Sequence, residues 1–129
     1  IKSARKMKIL IVEDDTNVSH IVKESLAASF PECEIVQAFD GFEAGKQIVS
    51  LAPDIILLDL ILPGLDGFKV LTNIRQDRNC ADIKIIAITG YDTEENRELI
   101  LQAGGVDGFA PKPIDLNRVR NLIKKLLAK

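Results

Sequence analysis

Four apolar residues, Ile55 to Leu58, stand between Asp54 and Asp59, and Pro63-Gly64 follows shortly after. So short an apolar run, bounded by turn residues, reads as a strand buried on both faces, which the interior of a parallel sheet provides. Open sheets of that kind bind ligands at the carboxyl ends of their strands, and Asp59 sits at such an end. Taken alone, the aspartate has two readings of equal weight. It is either a carboxylate placed at an active edge or a turn residue ahead of a helix.

The flanking sequence repeats the pattern. Lys8 to Val12 is a first buried strand, stopped by Glu13-Asp14-Asp15-Thr16, where Asp15 or Thr16 caps a helix. Val18, Ile21, Val22 and Leu26 then recur at helical spacing up to about Phe30, and Pro31 ends that helix. Cys33 to Ala38 is the second strand, closed by Asp40-Gly41, and a helix from Phe42 to about Leu51 stops before Pro53. Asp66-Gly67 opens a third helix with Phe68, Leu71 and Ile74 on one face. Ile83 to Ile88 is the fourth strand. Asp92 to Glu95 has capping-box spacing for a helix reaching Ala103, which Gly104-Gly105 terminates. Gly108 to Ala110 is a short fifth strand, and Asp115 caps a last helix with Leu116, Val119, Ile123 and Leu126 inward.

Strands alternating with helices over short connections predict a single doubly wound α/β domain, a parallel sheet covered by helices on both faces. The 129 residues suffice for one core. Residues 1–6 are polar and basic and precede Met7, so they are set aside as an extension or expression remnant, with the domain spanning 7–129. A net charge of −2 argues against an electrostatic nucleic-acid binder. No apolar run reaches the length of a bilayer span, so no membrane partner is expected. Cys33 and Cys80 are isolated from each other and from His20, the only histidine. That argues against zinc or a disulfide framework and predicts free, buried or half-buried thiols in a reducing compartment. His20 reads as exposed surface.

Strand ends share one rim of such a sheet. They bring together Glu13 and Asp14, then Asp59, Thr89 and Lys112. Three adjacent carboxylates repel each other unless a cation intervenes, and an all-oxygen acidic site suits Mg²⁺. A hydroxyl and an ammonium opposite would then grip an anion, and phosphate suits both the metal and the lysine. Each residue alone is more often a cap, a turn or a solvated charge. Their convergence on one rim favours the functional reading.

The ordered set Ile11-Val12-Glu13-Asp14-Asp15, Leu58-Asp59 through Pro63-Gly64-Leu65-Asp66-Gly67, Ile88-Thr89-Gly90 and Pro111-Lys112-Pro113 resembles the receiver domains of two-component response regulators. The resemblance runs from Met7 onward. It implies a (βα)5 fold with the flavodoxin-like strand order 2-1-3-4-5. It also implies that Asp59 accepts a phosphoryl group from the phosphohistidine of a sensor histidine kinase or phosphotransfer protein. Mg²⁺ would be held by Asp14, Asp59 and the carbonyl of Ile61, with Glu13 acting through water. Thr89 and Lys112 would each contact a phosphoryl oxygen, and the Lys112-Pro113 bond is expected to be cis. Thr89 would couple to Phe109, which stands where tyrosine is common and lacks its hydroxyl. The face formed by the fourth helix, fifth strand and fifth helix would then change. Arg97, Arg118 and Arg120 are candidates for it, as homodimer or output-domain contacts or as solvated charges. A cytoplasmic location follows from the same resemblance.

Three other readings compete, one of them a degenerate receiver working purely as an interaction module, which the occupation of every reactive position argues against. An aspartate-nucleophile phosphohydrolase would carry a second aspartate two residues after the nucleophile, where this chain has Ile61. A flavodoxin-like cofactor binder needs a hydroxyl- and glycine-rich first loop, where Glu13-Asp14-Asp15 would repel phosphate. A stored acyl phosphate, not a turnover enzyme, is therefore expected, with Ile61 and Tyr91 limiting water access. The chain closes with its fifth helix, leaving no output module within it. A stand-alone receiver and a piece of a larger regulator or hybrid kinase both remain open.

Overall fold

The structure, a computed structural model, describes residues 6–62, 65–90 and 93–128, without the side chains of Leu62 and Leu65. Five parallel strands, β1 (Lys8–Val12), β2 (Glu34–Ala38), β3 (Ile55–Asp59), β6 (Lys84–Thr89) and β7 (Gly108–Pro111), form one sheet in the order β2-β1-β3-β6-β7. In sequence order of those five that is 2-1-3-4-5, as the family resemblance implied. Between β3 and β6 the chain adds a two-stranded antiparallel ribbon, β4 (Ile61–Leu62) and β5 (Leu65–Asp66), which the sequence did not predict. Strands of two residues carry no periodicity to read.

Five helices cover the sheet: α1 (Thr16–Ser29), α2 (Gly41–Leu51), α3 (Gly67–Gln76), α4 (Glu94–Gln102) and α5 (Leu116–Leu127). Alternation along the strands splits the core into two layers. Ile9, Ile11, Ile55 and Leu57 pack with Val22, Leu26, Val119 and Ile123 of α1 and α5. Leu10, Val12, Ile56 and Leu58 pack with Ala44, Leu71, Ile74 and Ile100 of α2, α3 and α4. Every residue of β3 is buried, because β3 is central and covered on both faces.

Caps fix where the helices begin. Asp15, Asp40, Asp66 and Asp115 each accept backbone N–H bonds from the first turn of α1, α2, α3 and α5. At α4 the cap is Thr93, whose hydroxyl accepts from Asn96; Asp92 lies outside the described residues. Gly67 starts α3 hard against the strand end: a Cβ there would stand 2.5 Å from Leu60 Cα, and its N–H donates to the Leu60 carbonyl at 3.1 Å. Only glycine fits.

At the opposite edge of the sheet, Arg75 of α3 joins three segments. It donates to the carbonyls of Gly105 at 3.0 Å and Ile83 at 2.8 Å and pairs with Asp107 at 2.9 Å. Gly104, at φ 116, leaves the space that the Arg75 side chain fills. Cys33 and Cys80 are free, half-buried and buried respectively. His20 is exposed, with Nδ1 at 3.1 Å from the amide of Gln37.

Candidate functional site

Register places the site. Val12 pairs with Leu58, Asp59 with Ile88 and Thr89 with Pro111, so Glu13, Asp59, Thr89 and Lys112 fall together at one rim. The backbone locks them there. Glu13 donates to the Ala38 carbonyl at 3.1 Å, Leu60 to Ile88 at 3.0 Å and Lys112 to Thr89 at 2.8 Å.

Asp59 is the centre. It is 1% exposed although it ends its strand. Its Oδ1 accepts the Ile61 N–H at 3.1 Å, and its Oδ2 forms an ion pair with the ammonium of Lys112. Among the described residues Oδ2 has no partner besides that ammonium. A buried carboxylate oxygen facing only a cation is a group whose remaining bonding capacity is held for something else.

Around it the charges are crowded. Lys112 Nζ also lies 3.9 Å from Glu13 Oε1. Burial pushes the Glu13 carboxyl up to about 7; the Asp15 N–H works against that, and the negative charge of Asp59 adds to it. Burial opposes the charge on Lys112 as well, but Asp59, Glu13 and Asp14 together outweigh this and raise its pKa. Asp14 is half-buried beside Glu13, and Thr89 is 1% exposed at the end of β6. Pro113 follows Lys112 through a cis peptide bond. No three acidic or histidine side chains among the described residues form a ready-made metal cage. Mg²⁺ needs none, because it keeps several waters and uses one or two carboxylates. The crowded carboxylates and the remaining bonding capacity of Asp59 Oδ2 fit such an ion.

The remaining candidates separate. Ile61 stands at the rim, 43% exposed, whereas Tyr91 lies outside the described residues. Phe109 is half-buried on β7, under the Arg97 guanidinium and with its carbonyl bonded by Arg118. Arg120 turns the other way, to Ser25 of α1 and Asn117, and so leaves the expected α4-β7-α5 face.

Sequence reading missed a cleft of about 450 Å³ beside the rim, lined by Val18, Ile21, Val22, Ile61, Ile114 and Leu116 below Glu13, Asp14 and Lys112. Ile21 was expected to face inward with its neighbours on α1. It is 56% exposed, because the sheet is already covered by Val22 and Leu26. The apolar residue beyond the covering stripe was the available signal.

The chain matches the family model for the response regulator receiver domain over residues 9–124. It is 34% identical over 122 residues, 92% of this chain and 49% of the relative, to the DNA-binding dual master transcriptional regulator RpaA of Synechocystis. It is 36% identical to the response regulator MprA of Mycobacterium avium, over 94% of this chain and 51% of that one. The chain thus spans about half the length of the curated relatives it matches. Among solved structures, the signal receiver domain of a DNA-binding response regulator from Colwellia psychrerythraea superposes with a TM-score of 0.90 at 31% identity, covering 96% of this chain and 100% of that chain. A CheY-like receiver from Methanospirillum hungatei gives 0.84 at 30%, over 96% and 95%. With the acidic rim, the buried aspartate and the lysine in register, the chain belongs to the response-regulator receiver domains of two-component systems.

Proposed function

We propose that this receiver stores a phosphoryl group on Asp59, taken from a phosphohistidine of a sensor kinase or phosphotransfer protein. The observation that carries the reading is Asp59 itself: buried, oriented by the Ile61 N–H through Oδ1, and presenting an Oδ2 paired with the Lys112 ammonium alone among the described residues. That oxygen is the nucleophile. Lys112, already against Oδ2, shifts to a phosphoryl oxygen as the charge moves outward, and the buried Thr89 hydroxyl takes another.

Mg²⁺ is the cofactor we assign, held by Asp14, Asp59 and the Ile61 carbonyl, with Glu13 acting through water. When bound it neutralises the charge of the incoming group. The apolar cleft beside the rim offers a seat for the donor. Ile61 cannot activate water, so the acyl phosphate persists and the domain is not a turnover enzyme. Phosphorylation then resets Thr89, Phe109 and the α4-β7-α5 face, which an output domain or a second copy reads. The named relatives, about twice as long, suggest a larger cytoplasmic regulator around this domain.

Intact mass after incubation with Mg²⁺ and acetyl phosphate tests this. One phosphoryl group on the wild type, absent from Asp59→Asn and removed by hydroxylamine, is the expected result. Steady consumption of the donor without an adduct would instead mean a phosphohydrolase.

A further inference from the structure

Helices α2 and α3 leave a trough between them. Two adjoining cavities of about 370 and 210 Å³ form it, sharing Ile48, Val49, Asp77 and Cys80. Gly41, Gly45 and Val49 make the α2 wall, and Val70, Asn73 and Ile74 the α3 wall. Ile48 and Cys80, both buried, make the floor. A Cβ on Gly45 would meet nothing within 4 Å, so the trough is open where that side chain would stand.

The lip of the trough is apolar as well. Val49 is 82% exposed and Phe42 69%, and with Gly45 they follow one stripe of α2. Single exposed apolar side chains are ordinary, but these border a recess whose floor is also apolar, which marks a contact surface.

Charge is confined to one end. Asp54, Asp77 and Asp82 line the lower part, where the chain enters β3 and β6, and no lysine or arginine lines either cavity among the described residues. The neighbouring cations are turned elsewhere. Lys8 Nζ donates to the Leu51 carbonyl at 3.0 Å, and Arg75 is held by Ile83, Gly105 and Asp107. Burial, and then the charge of Asp77, push the Cys80 thiol up, as a negative field at the floor requires.

We propose that the trough docks an amphipathic helix of a partner protein, with its apolar stripe laid between α2 and α3. Lysine or arginine side chains at one end of that helix meet Asp77 and Asp82. The apolar stripe supplies the affinity and the charged end fixes the direction. With eleven residues, α2 is about 16 Å long, which matches about three turns of a partner helix. The surface is separate from both the Asp59 rim and the α4-β7-α5 face, so it does not rest on the phosphoryl-transfer reading.

The test titrates the ¹⁵N-labelled chain with a synthetic helical peptide of about three turns, carrying a leucine stripe and a pair of lysines at one end. A copy with glutamates in place of the lysines runs beside it. The lysine peptide should shift the amides of Gly45, Val49, Asn73 and Asp77, less so as NaCl is raised, and the glutamate peptide should not. Gly45→Leu plugs the trough and should weaken binding roughly tenfold or more, with a melting temperature at or above wild type. Asp82→Lys should weaken it roughly two- to tenfold. Equal binding of the two peptides, shifts centred elsewhere, or no binding would overturn the proposal. Concentration-dependent shifts of the same amides without peptide would give the trough to a second copy of the chain and overturn the partner helix.

Discussion

Lys112 and Asp59 meet across a strand that belongs to neither of them. Asp59 ends β3 and Lys112 follows β7, with β6 between the two in the sheet, so the lysine reaches over the end of β6 to bring its ammonium against Oδ2. The pair is asymmetric, because the aspartate is 1% exposed and the lysine side chain 35%.

That asymmetry predicts unequal costs for losing either partner. Lys112→Ala leaves a buried carboxylate unpaired and should cost about 1–2 kcal/mol, below the range for fully buried pairs because solvent reaches the lysine. Asp59→Asn removes the charge that is costly to bury and should cost less than about 0.5 kcal/mol, or stabilise the fold. Urea unfolding of the metal-free proteins decides it; equal losses would contradict this account.

Glu13 predicts a pH dependence. Its carboxyl titrates near 7 in the fold against an ordinary value of 4.5, chiefly through burial. Below 4.5 both folded and unfolded chains hold the proton, so there is no penalty. Between 4.5 and 7 the unfolded chain releases it first, and stability falls as pH rises. Above 7 the penalty is constant. In EDTA, the urea midpoint should decline across that window for the wild type and decline less for Glu13→Gln. A steeper fall in the variant would refute the assignment.

Two glycines should answer oppositely to alanine. At Gly67 the new Cβ meets backbone atoms of Leu60 and Asp59 at 2.5–2.8 Å, none of which can yield cheaply. A loss of about 1–3 kcal/mol is expected, along with slower phosphorylation, since the strand end carrying Asp59 must shift. At Gly45, exposed in the middle of α2, nothing lies within 4 Å, and alanine should stabilise by about 0.5–1 kcal/mol. Thermal melts of the two variants side by side are sufficient.

Ile61→Gln should shorten the lifetime of the acyl phosphate. The residue is exposed beside Asp59, and a polar side chain there can orient water. An acceleration on the order of tenfold is expected, small against a true general base because the amide takes no proton. Decay of the phosphorylated mass over time measures it, and an unchanged lifetime would show that Ile61 does not control water access.

Much of the site was legible because a parallel sheet aligns its strand ends. Once Val12, Asp59, Thr89 and Pro111 are read as ends, register brings their neighbours together without further information. The acidic caps were legible for the same local reason, at Asp15, Asp66 and Asp115. Where two capping residues adjoin, as at Asp92 and Thr93, spacing alone does not choose between them. Side-chain direction was harder still. Arg97 and Arg120 are both arginines on amphipathic helices, yet one stacks on Phe109 and the other crosses to Ser25. Those choices depend on the packing of helices against each other, which a single sequence leaves unspecified.

The Arg75 clasp has a mechanical consequence. By tying Gly105, Ile83 and Asp107 into one rigid corner, it fixes a fulcrum at the C-terminal end of α4. A helix of nine residues is about 13 Å long, so a tilt of roughly ten degrees about that corner carries the far end about 2 Å. The far end is Thr93, which follows closely on Thr89 in the chain. Leverage is thus greatest nearest the rim, where the proposed phosphoryl group would act.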